Sequence, residues 1–369
     1  MEIYTGAKGW RALQQTGQDV GIVPTNNFNT VLYEGNGSTT QVIADVGFEA
    51  GFTWIKDRDV AENHALFDTV RGANEWLHSN DTAAQTTYSG NYGLLSWNND
   101  GFTVGNGTAV NDSGENYVSW NWKAGGNSNT FNIDGVGYAT AAAAGMNTGS
   151  ISLSGCSVNT ESGFSIIKFP GNSTSGATID HGLGKIPDIA FFKNLDQGSA
   201  SYNWTVYSGP NGPTGLLYLN DTYAFTVTSS RFNDTTPTNQ IFTLGNDGTI
   251  NASGNSTIAY CWTSIPGYSL IGSYTGTGSA TDSPKIYTGF EPAWLMTKPT
   301  STTGWWYIFD NKRSTGNPRD KILGANAADA EYQSSNYNVN FYNDGFQYRN
   351  NTICCNDAGV EYIFMCFAS

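Results

Sequence analysis

The stretch Trp305-Trp306-Tyr307-Ile308-Phe309-Asp310 decides the fold class, because it reads with a period of two. As a strand it puts Trp305, Tyr307 and Phe309 on one face and Trp306, Ile308 and Asp310 on the other. Two adjacent tryptophans then place one ring in a core and the other at the surface or under a neighbouring subunit. Phe191-Phe192, Ile286-Tyr287 and Ala293-Trp294-Leu295-Met296 are further β-favouring runs, punctuated by Gly, Pro and Asn. No segment carries the 3.6-residue period of a helix of about ten residues or more. The chain is therefore all-β. Counted over the last ~100 residues, about eight short antiparallel strands closing on an aromatic core predict a two-sheet sandwich of jelly-roll type.

Working outward, Phe309-Asp310-x-x-Arg313 repeats Phe67-Asp68-x-x-Arg71, with Tyr207-Ser208 as a degenerate middle copy. Downstream, Leu77-His-Ser-Asn80, Leu217-Tyr-Leu-Asn220 and Leu323-Gly-Ala-Asn326 share Leu-x-x-Asn. Asn-Asp-Gly turns follow at 99–101, 246–248 and 343–345. Aromatic-rich closing runs then end at Trp122, Trp262 and Phe367. These anchors keep one order and nearly one spacing, which predicts three tandem modules at 28–124, 163–266 and 267–369. Residues 125–162 are small and nearly uncharged, as suits a linker or a strand-like extension across a neighbour. Residues 1–27 lie outside the repeat and are assigned to attachment.

Composition narrows the function. The chain has 369 residues and a net charge of −14, with only 13% charged residues, so it lacks the cationic surface that nucleic acid or anionic lipid requires. Its 14% aromatic content excludes disorder. No run approaches the ~20 apolar residues of a membrane span, and the start has no secretory-type core. The five cysteines are sparse and without zinc spacing. Cys354 and Cys355 are adjacent and would need a strained ring to bond, so reduced thiols of a reducing cytosol are expected.

The recurring residues read as structure before chemistry. Asn-Asp-Gly predicts tight hairpins rather than calcium loops, since each turn offers one acidic residue. Asp68 with Arg71, and Asp310 with Arg313, predict ion pairs that pin a strand-to-loop corner. His64, Trp204 and Trp306 occupy equivalent positions; together with Trp305 they are candidates for glycan stacking or for an interface. Enzymatic constellations are missing: no paired carboxylates on one strand, no nucleophile elbow and no phosphate loop. Asp180-His181 is a dyad without a nucleophile. No enzyme activity and no cofactor are expected.

The strings Phe28–Ser38, Gly47–Arg58, His64–Gly72, Asp100–Val104 and Tyr117–Gly126 closely resemble a module of unknown function in virion proteins of tailed phages of marine bacteria, cyanobacteria included. Gly163–Lys168, His181–Gly184, Gly272–Gly278 and Tyr287–Ala293 resemble later units of the same family. The resemblance implies a lectin-like jelly roll on the phage particle, made in the host cytoplasm and displayed on capsid or tail as a fibre, knob or decoration component. It implies no activity and transfers no site residues. The expected partners are other virion proteins through residues 1–27, further copies in a homotrimer that buries the aromatic surplus, and a host-surface glycan. The competing readings are a carbohydrate-binding module and a polysaccharide-degrading appendage.

Overall fold

The computed structural model describes residues 21–88, 90–196 and 202–369, so most of the proposed attachment segment lies outside the described residues. Three inner sheets share one strand order. The first runs Phe28–Glu34, Asn116–Trp122, Phe52–Asp57, Ala65–Asp68. The second contains Phe164–Pro170, Ser256–Trp262, Ile189–Asn194, Thr205–Ser208, and the third Ser269–Thr275, Glu361–Phe367, Trp294–Pro299, Tyr307–Asp310. Within each of these blocks the neighbours pair antiparallel, and the closing run is the strand buried between two others. That position explains its sequence, because a central strand must be apolar on both faces.

Each inner sheet has a smaller sheet opposite it, which makes the sandwich. Gln41–Ile43, Gly101–Val104 and Leu94–Asn98 cover the first; Ala177–Asp180 with Ile241–Leu244 cover the second. Lys285–Tyr287, Gly345–Tyr348 and Val339–Tyr342 cover the third. The period-two reading of 305–310 maps directly onto this arrangement. Tyr307 and Phe309 enter the core between the third inner sheet and its cover, with Leu295 and Phe346. Trp306 and Ile308 point the other way, into a core that the three inner sheets share. There Phe28, Trp54, Trp120 and Trp122 meet Phe164, Phe191, Trp204 and Trp262, and also Trp294, Trp306, Met365 and Phe367. Trp122 packs edge-on against both Trp262 and Trp294, with centroids 6.1 and 5.6 Å away. The aromatic surplus expected at a subunit interface is thus buried inside one chain, and it supplies no argument for a trimer of chains.

Two expectations change in detail. The first and third Asn-Asp-Gly turns do make hairpins, Asn98 facing Gly101 and Tyr342 facing Gly345. Glycine is required at both, because a Cβ would stand 2.0 Å from the Ile43 carbonyl oxygen or 1.9 Å from that of Ile286. The middle one does something else: Asp247 caps the single helical turn Gly248–Asn251 through the Thr249 N–H. The stretch 125–162 forms three strands, Phe131–Ile133, Val136–Tyr138 and Gly155–Asn159, which extend the second inner sheet on one side, while Gly215–Tyr218 and Thr226–Val227 extend it on the other, to nine strands in all. One of its pairings, 131–133 with 156–158, is parallel, so the fold is not wholly antiparallel. Helices among the described residues are single turns, and no helix is long and apolar enough to cross a membrane.

Candidate functional site

The residues singled out from the repeat gather at the seams between the three inner sheets. Trp204 Nε1 donates to the His78 carbonyl oxygen at 2.7 Å, joining the second sheet set to the first. Trp306 Nε1 donates to the Tyr218 oxygen at 2.7 Å, joining the third to the second. His64 Nε2 meets the Gly324 oxygen at 2.9 Å, which joins the first to the third and closes the ring. His78, Tyr218 and Gly324 are themselves equivalent, each following the Leu of the Leu-x-x-Asn string. The Asn of that string fixes the donors in place: Asn80, Asn220 and Asn326 accept the backbone N–H of His64, Trp204 and Trp306 through Oδ1.

The chemistry of His64 follows from its neighbours. Trp54 Nε1 donates to His64 Nδ1 at 2.8 Å, and an indole nitrogen only donates. The imidazole is therefore the neutral tautomer with its proton on Nε2, which it gives to Gly324. Burial lowers its pKa from 6.5 to about 3, and the nearby Lys56 charge adds to the shift. His64, Trp204 and Trp306 are 0%, 0% and 1% exposed. This corrects the glycan-stacking reading for these three: their rings are buried between sheets and offer no face to a sugar. Replacing Trp204 with Phe removes the donor and truncates a fully buried indole. It should cost at least about 1–3 kcal/mol, from the carbonyl left unpaired and the cavity left behind, seen as a lower urea midpoint at unchanged slope.

The Asp-Arg corners are ion pairs, and they too reach across seams. Asp68 Oδ1 accepts the backbone N–H of Val70 and Arg71, while Oδ2 takes Arg71 Nε and the Tyr260 hydroxyl, the latter at 2.6 Å. Asp310 repeats this with Lys312, Arg313 and, at 3.1 Å, Trp120 Nε1. Both pairs have fully buried side chains. Trp120 and Tyr260 are equivalent positions on closing strands, and the third copy holds Met365 there. Met365 has no hydrogen to donate, and the corner it would serve carries Ser208 and Asn211, which bond each other at 2.8 Å. The degenerate middle copy is thus the expected partner of a closing strand without a donor.

Sequence reading missed three buried lysines, two of which, Lys193 and Lys298, reach across seams to Thr82 and Tyr223. Lys56, Lys193 and Lys298 are equivalent and buried, and their ammonium groups are held by carbonyl oxygens. Burial lowers their pKa values to about 8, 8 and 7. Their signal is a Lys at the same position, fifth of six, in three strands that are otherwise mostly apolar. The seam between first and third sets, distant in sequence, carries an extra clamp. Arg58 donates Nε and Nη2 to the two carboxylate oxygens of Glu331, each at 2.9 Å.

The remaining candidates separate. Asp180 holds the backbone N–H of Gly149, whereas His181 faces the Thr238 oxygen, so no dyad forms. Cys354 and Cys355 are joined by a disulfide, contrary to the reduced pair expected, while Cys156, Cys261 and Cys366 are free and buried. Trp305 is the exception among the candidate tryptophans, 36% exposed. No group of three His, Cys, Asp or Glu that would hold a metal is found among the described residues. No curated protein matches the chain. A family model matches residues 23–369, which take in all three inner sheets and every seam contact described above. The chain belongs to the family described as "Domain of unknown function (DUF7483)".

Proposed function

We propose that the chain is a non-enzymatic structural component of a tailed-phage particle, displayed on capsid or tail as a compact knob or decoration. In this reading the three sheet sets are tandem copies of one sandwich, and the 1–27 segment attaches them to the particle. The observation that carries it is where the hydrogen-bonding side chains are spent. Asp68, Arg71, Asp310, Arg313, His64, Trp204 and Trp306 are all buried and all engaged in corners or seams. A reacting group must reach its substrate, and these do not. What faces outward is loops on a rigid closed scaffold, the arrangement suited to display and surface contact. The virion setting rests on the resemblance of the repeated strings to phage virion modules.

Mass spectrometry and immunogold labelling of purified particles from the encoding genome test this. The chain should be present in the particle at stoichiometric level and labelled on its outside. Finding it only among soluble proteins of the infected cell would contradict the proposal.

A further inference from the structure

The three sheet sets are alike enough that the differences between them are informative, and the third differs in a concerted way. Where the first two sets carry Asn63 and Asn203, it has Trp305; where they carry Ala65 and Thr205, it has Tyr307. Thr86 and Thr226, each paired with the strand that holds the Leu-x-x-Asn string, become Tyr332. His78 and Tyr218 become Gly324, and that glycine lies under the new indole: a Cβ on it would stand 2.8 Å from the Trp305 ring. Tyr307 serves the core of its own sandwich, but the first two sets fold without counterparts of Trp305 and Tyr332, the two exposed rings.

Together the rings form a row. Trp305 stacks toward Tyr307 with centroids 6.2 Å apart and planes at 19°, and Tyr307 toward Tyr337 at 5.6 Å and 21°. Tyr332 closes the row 6.2 Å from Tyr337. Its two ends are open to solvent, Trp305 at 36% and Tyr332 at 56% exposure. The change to Trp305 also removes a hydrogen-bond acceptor. In the first two sets Asn80 and Asn220 donate their side-chain amides to Asn63 and Asn203 Oδ1 at 2.7 and 2.8 Å. Trp305 offers Asn326 no such oxygen.

We infer that this row is a binding platform for a neutral oligosaccharide, one sugar ring stacking on Trp305 beside the Asn326 amide and a further unit of the chain meeting Tyr332 at the other end. The inference rests on the display reading above and names what the displayed surface holds. Flat rings with polar tips beside an amide suit a molecule with one apolar face and a hydroxyl rim. A protein partner needs roughly 800 Å² per side. Two partly exposed rings, at about 150–250 Å² each when whole, fall well short of that. A polyanionic polysaccharide is disfavoured by the net charge of −14.

Isothermal titration and affinity gel electrophoresis of the full chain against maltohexaose, cellohexaose, chitohexaose and soluble mannan test the platform, with polygalacturonate as the charged control. At least one neutral probe should bind, and Trp305→Asn should weaken it about tenfold or more. That variant installs the residue the other two sets hold, so its melting temperature should stay within about 3 °C of the parent. Tyr332→Thr should weaken binding less. Silence toward every neutral probe, equal binding by Trp305→Asn, or a change of oligomeric mass in Trp305→Asn in place of lost sugar binding would each overturn the platform. Particle labelling, which tests display, would stand unaffected.

Discussion

Acidifying the protein from pH 7.5 to 4.5 is expected to remove on the order of 5 kcal/mol of stability, about half of it through His64. Both buried imidazoles are neutral in the fold, the pKa lowered chiefly by burial from 6.5 to about 3 for His64 and to about 4 for His181. The unfolded chain takes up these protons near pH 6.5, and the fold does so only much lower. Stability is therefore complete above pH 6.5 and drains away as pH falls toward 4. A loss of this size is comparable to the whole stability of many domains. The repeat supplies the control. In the second set the residues equivalent to Trp54 and His64 are Phe191 and Trp204. The double change Trp54→Phe with His64→Trp should keep the bond to Gly324 through an indole N–H and remove about half of the acid sensitivity. Urea midpoints at pH 7.5 and 4.5 read this directly. An unchanged acid loss in the double variant would exclude His64 as its source.

The second large effect is expected at the Asp68 corner. Asp68→Ser leaves a buried guanidinium without its carboxylate and the Tyr260 hydroxyl without its acceptor. Removing one partner of a buried pair costs about 3–5 kcal/mol. The middle copy shows what a balanced uncharged corner contains: Ser208, Asn211 and, from the neighbouring closing strand, Met365. The triple change Asp68→Ser, Arg71→Asn and Tyr260→Met should therefore recover most of the loss. A triple variant no more stable than Asp68→Ser alone would mean that the three residues are not coupled.

Part of the fold was legible because an alternating run can be read even where the strand is short. The four-residue strand Tyr307–Asp310 and the preceding Trp306 divided their apolar side chains between two cores as the period of the run required. The strands at 131–133 and 136–138 are too short for a period; they pair with each other, and 131–133 joins the sheet through a parallel pairing with 156–158 that no local pattern announces. The middle Asn-Asp-Gly misled because the same three residues serve a hairpin at 99–101 and a helical cap at 246–248. The candidate residues were found, but their neighbours were not. The sequence puts Trp306 and Ile308 on one face of a strand; it does not show that this face is buried against other sheets of the same chain. The aromatic row escaped notice for the converse reason: the repeat strings align Gly324 with His78 and Tyr218, but only the strand pairing aligns Tyr332 with Thr86 and Thr226.

The central claim is that the three sheet sets close into one ring around a shared core, and differential scanning calorimetry of the full chain tests it most directly. A shared core and a clamped first-to-third seam predict one transition whose calorimetric and van 't Hoff enthalpies agree, moved as a whole to lower temperature by Glu331→Ala. Separate transitions, with Glu331→Ala shifting one and leaving the others in place, would contradict it.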